Sequence, residues 1–112
     1  VGNHPRGFAT FPRILGRYVR EHKVITLENA IRKMCYLPAM VYGLSTKGLI
    51  REGMDADLVL FDPDTVGDNN DYANPYVKNS GLDYVIVGGE IAVRDNVATG
   101  ALGGRQLRKT VD

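Results

Sequence analysis

The spacing of apolar residues changes once along the chain, at Gly43, and that change limits what it can fold into. Before Gly43 the apolar residues recur at helical intervals; after it they come in short blocks cut by glycine, aspartate, asparagine and proline. A chain patterned this way segregates its helices from its strands, giving an α+β fold rather than an alternating βαβ series.

Phe11, Ile14, Leu15, Tyr18 and Val19 fall on one helical face, with Arg13, Arg17 and Arg20 directed elsewhere. The spacing predicts a helix over 11–22. Thr10 serves as its N-cap, Pro12 sits in the first turn where a missing N–H is harmless, and His22 and Lys23 lie near the negative pole. Leu27, Ala30, Ile31 and Met34 form a second face behind Thr26 as N-cap, predicting a helix over 27–36. Pro38 is expected to push Leu37 out of helical geometry and open a further turn that Gly43 closes in the left-handed region.

Beyond that point Leu49-Ile50 reads as a short strand, and Leu58 to Phe61 as a strand apolar on both faces. The stretch from Thr65 to Gly81 has no apolar period and reads as a long surface loop. Asp83 to Val87 and Glu90 to Arg94 make a hairpin around Gly88-Gly89, which supply the positive φ angles of a primed turn. Asp95-Asn96 offers a second turn, and 100–112 is expected to be loosely held.

The 112 residues allow one compact unit and exclude a (β/α)₈ barrel, which needs about 250. Fourteen basic residues against 13 acidic ones leave a formal charge of +1, so no net field draws the chain to nucleic acid or to an anionic membrane. The longest apolar runs have four residues, far short of the roughly 18 of a membrane helix. One cysteine, Cys35, excludes an internal disulfide and suits a reducing compartment, so a cytoplasmic location is expected. The opening Val1-Gly2-Asn3 has no Met start and no signal-like pattern, and reads as the interior of a longer product.

The chemistry-bearing residues are few. His4-Pro5-Arg6 places an imidazole, a rigid bend and a guanidinium together, and the guanidinium suits a carboxylate held bidentately; the plainer alternative is a surface arginine beside a turn. Arg13 reads as part of a solvated helix face, with a structural pairing as the alternative. His4, His22 and Cys35 match no metal-ligand spacing, so no zinc site and no other cofactor are expected in this chain. Asp68-Asn69-Asn70-Asp71 fails the Ca²⁺-loop pattern because Tyr72 and Ala73 stand where a ligand and a glycine belong. Gly100 to Gly104 lacks the flanking strand and helix of a phosphate loop, and Cys35 reads as a small core residue. No complete catalytic set is present.

Three segments together resemble the C-terminal end of the D-aminoacylase (N-acyl-D-amino-acid deacylase) family of the amidohydrolase superfamily. His4-Pro5-Arg6 followed by Thr10-Phe11-Pro12-Arg13-Ile14-Leu15-Gly16-Arg17-Tyr18-Val19-Arg20 is similar to that family's HPR…TFPR.LGRYVR segment. Gly48-Leu49-Ile50-Arg51-Glu52-Gly53-Met54-Asp55-Ala56-Asp57-Leu58-Val59 resembles the superfamily's G-x-I-x-x-G-x-x-A-D-L-V signature. Tyr84 to Glu90 and Thr99-Gly100 fit its closing strands, so the likeness covers nearly the whole chain.

The resemblance implies that residues 1–44 are the last loop and helices of a metal-bearing TIM barrel. Residues 45–105 would be the C-terminal half of a composite β-sandwich, and 106–112 a flexible tail. It implies hydrolysis of the amide of an N-acyl-D-amino acid in the parent enzyme, by a Zn²⁺-bound hydroxide with an Asp moving the proton. The metal ligands and that Asp would lie upstream. Arg6 takes the place of the arginine that holds the substrate carboxylate, and His4 stands beside it at the barrel mouth as a second substrate-binding residue; no catalytic residue is carried over. A dihydroorotase-like or hydantoinase-like enzyme is an alternative parent, and a stand-alone, non-catalytic binding or assembly module is an alternative from another class. A segment cut from such an enzyme leaves apolar faces open, so the isolated chain is expected to self-associate.

Overall fold

In the computed structural model, which describes residues 4–108, helix formation begins ahead of the predicted start, at Arg6. Helix α1 spans Arg6–Arg13 and runs on as a π-helical segment, Ile14–Glu21. The early start has a local cause. Pro5 presets φ at −52°, and the His4 ring accepts the Arg6 N–H through Nδ1 at 3.0 Å, meeting an otherwise orphaned donor. Ala9, at φ −143° and ψ 18°, breaks the helix just before Thr10. Thr10 therefore does not cap; its hydroxyl donates to the Arg6 carbonyl at 2.6 Å.

Helix α2 (Leu27–Ile31) starts as expected, with the Thr26 hydroxyl accepting the Asn29 N–H at 3.3 Å. It continues through a π-helical segment, Arg32–Tyr36, into α3 (Leu37–Tyr42). Leu37 stays helical at φ −62° and ψ −46°, against the expectation that Pro38 would expel it. The wider π turn ahead of Pro38 makes room for a ring that would press on the carbonyl four residues back in a regular helix. Gly43 closes the helix at φ +69°, with the Leu44 N–H on the Ala39 carbonyl at 2.8 Å.

The strands β1 (Leu58–Phe61), β2 (Leu82–Val87), β3 (Glu90–Arg94) and β4 (Val97–Ala98) form one antiparallel sheet in the order β1-β2-β3-β4. Val59 faces Val85, and Val85 faces Val93. The β2–β3 turn uses Gly88 and Gly89 at φ +58° and +84°, and Asp95 and Asn96 at +50° and +63° turn β3 into β4. Strand β4 is not read from the sequence because two residues show no period. Leu49-Ile50 is not a strand. The pair joins no ladder among the described residues, and Ile50 is 90% exposed.

Hydrophobic burial is thin. Leu15 on the π continuation of α1 and Val66 in the β1–β2 loop are buried, and Gly16 lies so close to the Val66 carbonyl that a Cβ there would stand 2.9 Å from it; Ala30 and Ala39 are buried on the α2 and α3 helices. Arg20 ties the two parts together, its Nη1 donating to the carbonyls of Val66 at 2.6 Å and Pro63 at 3.1 Å. Gly81 enters β2 at φ +70°, and a Cβ there would stand 2.4 Å from the Val66 nitrogen, so only glycine fits. Cys35, expected in the core, is exposed: it lines a groove of about 550 Å³ between α3 and β1 that no described element covers. No helix of the described residues is long and apolar enough to cross a membrane. The expected loose end falls partly on 109–112, outside the described residues, as does the opening Val1-Gly2-Asn3; within 100–108, Arg105 reaches Asp55 at 3.8 Å.

One charged knot fastens the approach to β1 onto the hairpin. The Lys47 ammonium pairs with Asp57 and, at 3.0 Å, with Asp55, while the Gly88 N–H donates to Asp57 at 2.8 Å. The hydrogen bonds from Lys47 hold both carboxyls below their ordinary range, assisted by Thr46 at Asp55 and Gly88 at Asp57. Lowered folded values mean that the knot stabilises fully above the unfolded carboxyl range, about pH 4, and is lost as pH falls through the folded values. Thermal melts from pH 7 to pH 2 should show this acid limb. Lys47→Met should flatten it while lowering the neutral-pH melting point; an unchanged acid limb would show that the knot contributes nothing.

Candidate functional site

The start of α1 and the loop after β1 enclose a pocket of about 380 Å³ lined by His4, Arg6, Arg13, Arg17, Asn70 and Tyr72 among others. His4 fixes its own tautomer there. Because Nδ1 accepts the Arg6 N–H, the ring proton sits on Nε2, which donates to the Tyr72 hydroxyl oxygen at 3.2 Å. The two rings also meet edge to face, with centroids 5.1 Å apart.

The loop grips the start of the helix at several further points. Buried Asn70 donates through Nδ2 to the carbonyls of Pro5 at 3.2 Å and Pro75 at 3.0 Å. Asn79 donates to the Phe8 carbonyl at 3.1 Å. Arg13, read from sequence chiefly as a solvated face, instead pairs through Nη1 with the nearly buried Asp68 carboxylate at 2.6 Å. Its charge is spent on the fold.

Arg6 is different. It is exposed, and among the described residues no carboxylate pairs with it. A guanidinium carries a rigid fork of donors, so one left free at the mouth of a pocket suits a carboxylate from outside the chain. The structure thus brings His4 and Arg6 to one place. Asn70 and Tyr72, which complete the setting, were not singled out from sequence as site residues; the Asp/Asn density around them signals a turn and nothing more.

The sequence matches the amidohydrolase family over residues 2–93. The chain belongs to the amidohydrolase family. Among curated proteins it is 46% identical over 86 residues to the N-acyl-D-glutamate deacylase of Alcaligenes xylosoxydans xylosoxydans, covering 77% of this chain and 18% of that one. It is 40% identical over 107 residues to the D-aminoacylase of the same organism, covering 96% and 22%. A crystal structure of D-aminoacylase superposes with a TM-score of 0.85 at 41% identity, over 88% of this chain and 21% of that one. The N-acyl-D-glutamate deacylase of Bordetella bronchiseptica, solved with zinc and a phosphonate mimic of the tetrahedral intermediate, gives 0.78 at 44%, over 80% and 19%. This amidohydrolase chain therefore spans about a fifth of the length of the relatives it matches.

Zinc has been seen in one of these relatives, and the residues here can be tested against it. Among the described residues no three His, Cys, Asp or Glu side chains gather closely enough to hold a metal ion. The nitrogens of His4 are both engaged, one by a backbone N–H and one by Tyr72. By themselves these residues do not fit a zinc centre.

Proposed function

We propose that this chain is the C-terminal portion of a metal-dependent amidohydrolase that cleaves the amide C–N bond of N-acyl-D-amino acids, releasing a carboxylate and a free D-amino acid. Arg6 binds the substrate carboxylate, and His4 orders the loop beside it. The observation that carries the reading is the Arg6 guanidinium, which has no ion pair among the described residues, in a formed pocket, within a stretch similar to deacylases of N-acyl-D-glutamate and N-acyl-D-aspartate and to D-aminoacylase. All three named substrate classes carry an α-carboxylate.

In this reading, residues 1–44 close a TIM barrel, 45–105 supply the C-terminal part of a composite β-sandwich, and 106–112 form its tail. The segregation of helices before Gly43 from strands after it supports that division. Zinc is held by residues outside this chain, the enzyme works in the cytoplasm, and the isolated segment associates with copies of itself.

The test is expression of the complete open reading frame. The full product should hydrolyse N-acetyl-D-amino acids, spare the L-enantiomers and retain zinc through dialysis, whereas the 112 residues alone should neither turn over the D-substrates nor retain zinc. Turnover or one equivalent of tightly held zinc in the short chain would overturn the proposal, and so would a full product inert toward every N-acyl-D-amino acid offered.

A further inference from the structure

The peptide unit between Pro5 and Arg6 is held at both polar ends. Its carbonyl accepts from Asn70 Nδ2 at 3.2 Å, and its N–H donates to His4 Nδ1 at 3.0 Å, the same ring being tethered by the Tyr72 hydroxyl. Both outer contacts come from one stretch of the β1–β2 loop. The orientation of the Asn70 amide follows from its partners, since two carbonyls, Pro5 and Pro75, require the nitrogen to face them. The opposite atom, Oδ1, is buried with no hydrogen-bond partner among the described residues. A buried side chain that leaves one acceptor unmet to set two donors on backbone carbonyls is fixing the path of the chain. What that path carries is Arg6, whose guanidinium lines the pocket and has no ion pair among the described residues.

We propose that Asn70 is a positioning residue for Arg6: by fixing the Pro5–Arg6 peptide plane it aims the guanidinium at the substrate carboxylate, so that the loop between β1 and β2 takes part in recognition. This inference rests on the role given to Arg6 above. A guanidinium that must meet two carboxylate oxygens at once tolerates little displacement, and errors of about 1 Å are costly to productive binding.

The experiment compares Asn70→Asp, which keeps the shape but removes both donors, Asn70→Ser, Arg6→Ala and the Arg6/Asn70 double variants in the complete enzyme. Two probes are used: an N-acetyl-D-amino acid as substrate, and its carboxamide analogue as a competitive ligand. Substituting Asn70 should raise KM for the carboxylate about tenfold and change kcat far less, leave the inhibition constant of the carboxamide unchanged, and add nothing once Arg6 is alanine. If Arg6→Ala itself leaves KM unchanged, the role of Arg6 falls and this inference falls with it. If Arg6→Ala raises KM but the Asn70 effect is additive to it, or strikes both probes equally, only the positioning role is overturned. Failure of both Asn70 variants to fold would likewise assign Asn70 to stability alone.

Discussion

Replacing Arg6 with alanine in the complete enzyme is expected to raise KM for an N-acyl-D-amino acid about tenfold to a hundredfold, with the melting temperature nearly unchanged. Arg6 is exposed and makes no ion pair among the described residues, so truncating it removes little packing. A charge-assisted pair with a carboxylate contributes about 1.5–3 kcal/mol, and that loss falls on binding. Arg13→Ala provides the contrast on the same pocket. It strips the partner from an Asp68 carboxylate that is 7% exposed, so the penalty appears in the melt. Kinetics and melts on the two variants side by side separate the roles. A lowered melting point with an unchanged KM for Arg6→Ala would make Arg6 structural and withdraw its part in binding.

The 112-residue chain in isolation is expected to sediment at micromolar concentration as a dimer or larger assembly. Its accessible surface is 8405 Å², where a folded monomer of 12.3 kDa shows about 6,100 Å². Its radius of gyration is 14.9 Å, against about 13 Å for a compact chain of this length. The surplus includes apolar side chains: Val41 is 69% exposed, Phe11 58% and Leu60 57%. Strand β1 lies at the end of the sheet order, and among the described residues its outer edge has no partner in the ladder. A standard protein interface removes about 1,200–2,000 Å² in total, so a second copy can cover much of the surplus, and exchange of a helix or strand achieves it at low cost. A monodisperse monomer that melts cooperatively and binds no hydrophobic dye would show a self-sufficient domain, and would favour a stand-alone module over a portion of an enzyme.

Where structure is local, the sequence carried it. The 3.6 period of Ile14, Leu15 and Tyr18 locates the first helix, Thr26 caps the second, and Gly88-Gly89 sets the hairpin. Local signals also misled. The first helix starts on a histidine ring nitrogen rather than on the Thr10 hydroxyl, and a π turn lets the helix pass through Pro38. Cys35 follows an apolar helical face but is exposed, because no described element covers that side. The site is half legible. His4 and Arg6 stand side by side in the chain, whereas the contacts from Asp68, Asn70, Tyr72 and Asn79 join residues 55 to 71 positions apart, a distance at which hydrophobic periodicity holds no information.

Those same separations set an order of assembly. Helical turns and a two-residue hairpin close within microseconds because their partners are neighbours, while a contact across 65 residues must first overcome the entropy of closing a long loop. On a growing polypeptide the HPR segment emerges well before Asn70 and Tyr72 exist to hold it. The arginine platform therefore matures last, after the chain has been made through β1 and the loop beyond it, and a product truncated before Asp68 would keep its helices and lack the clamp.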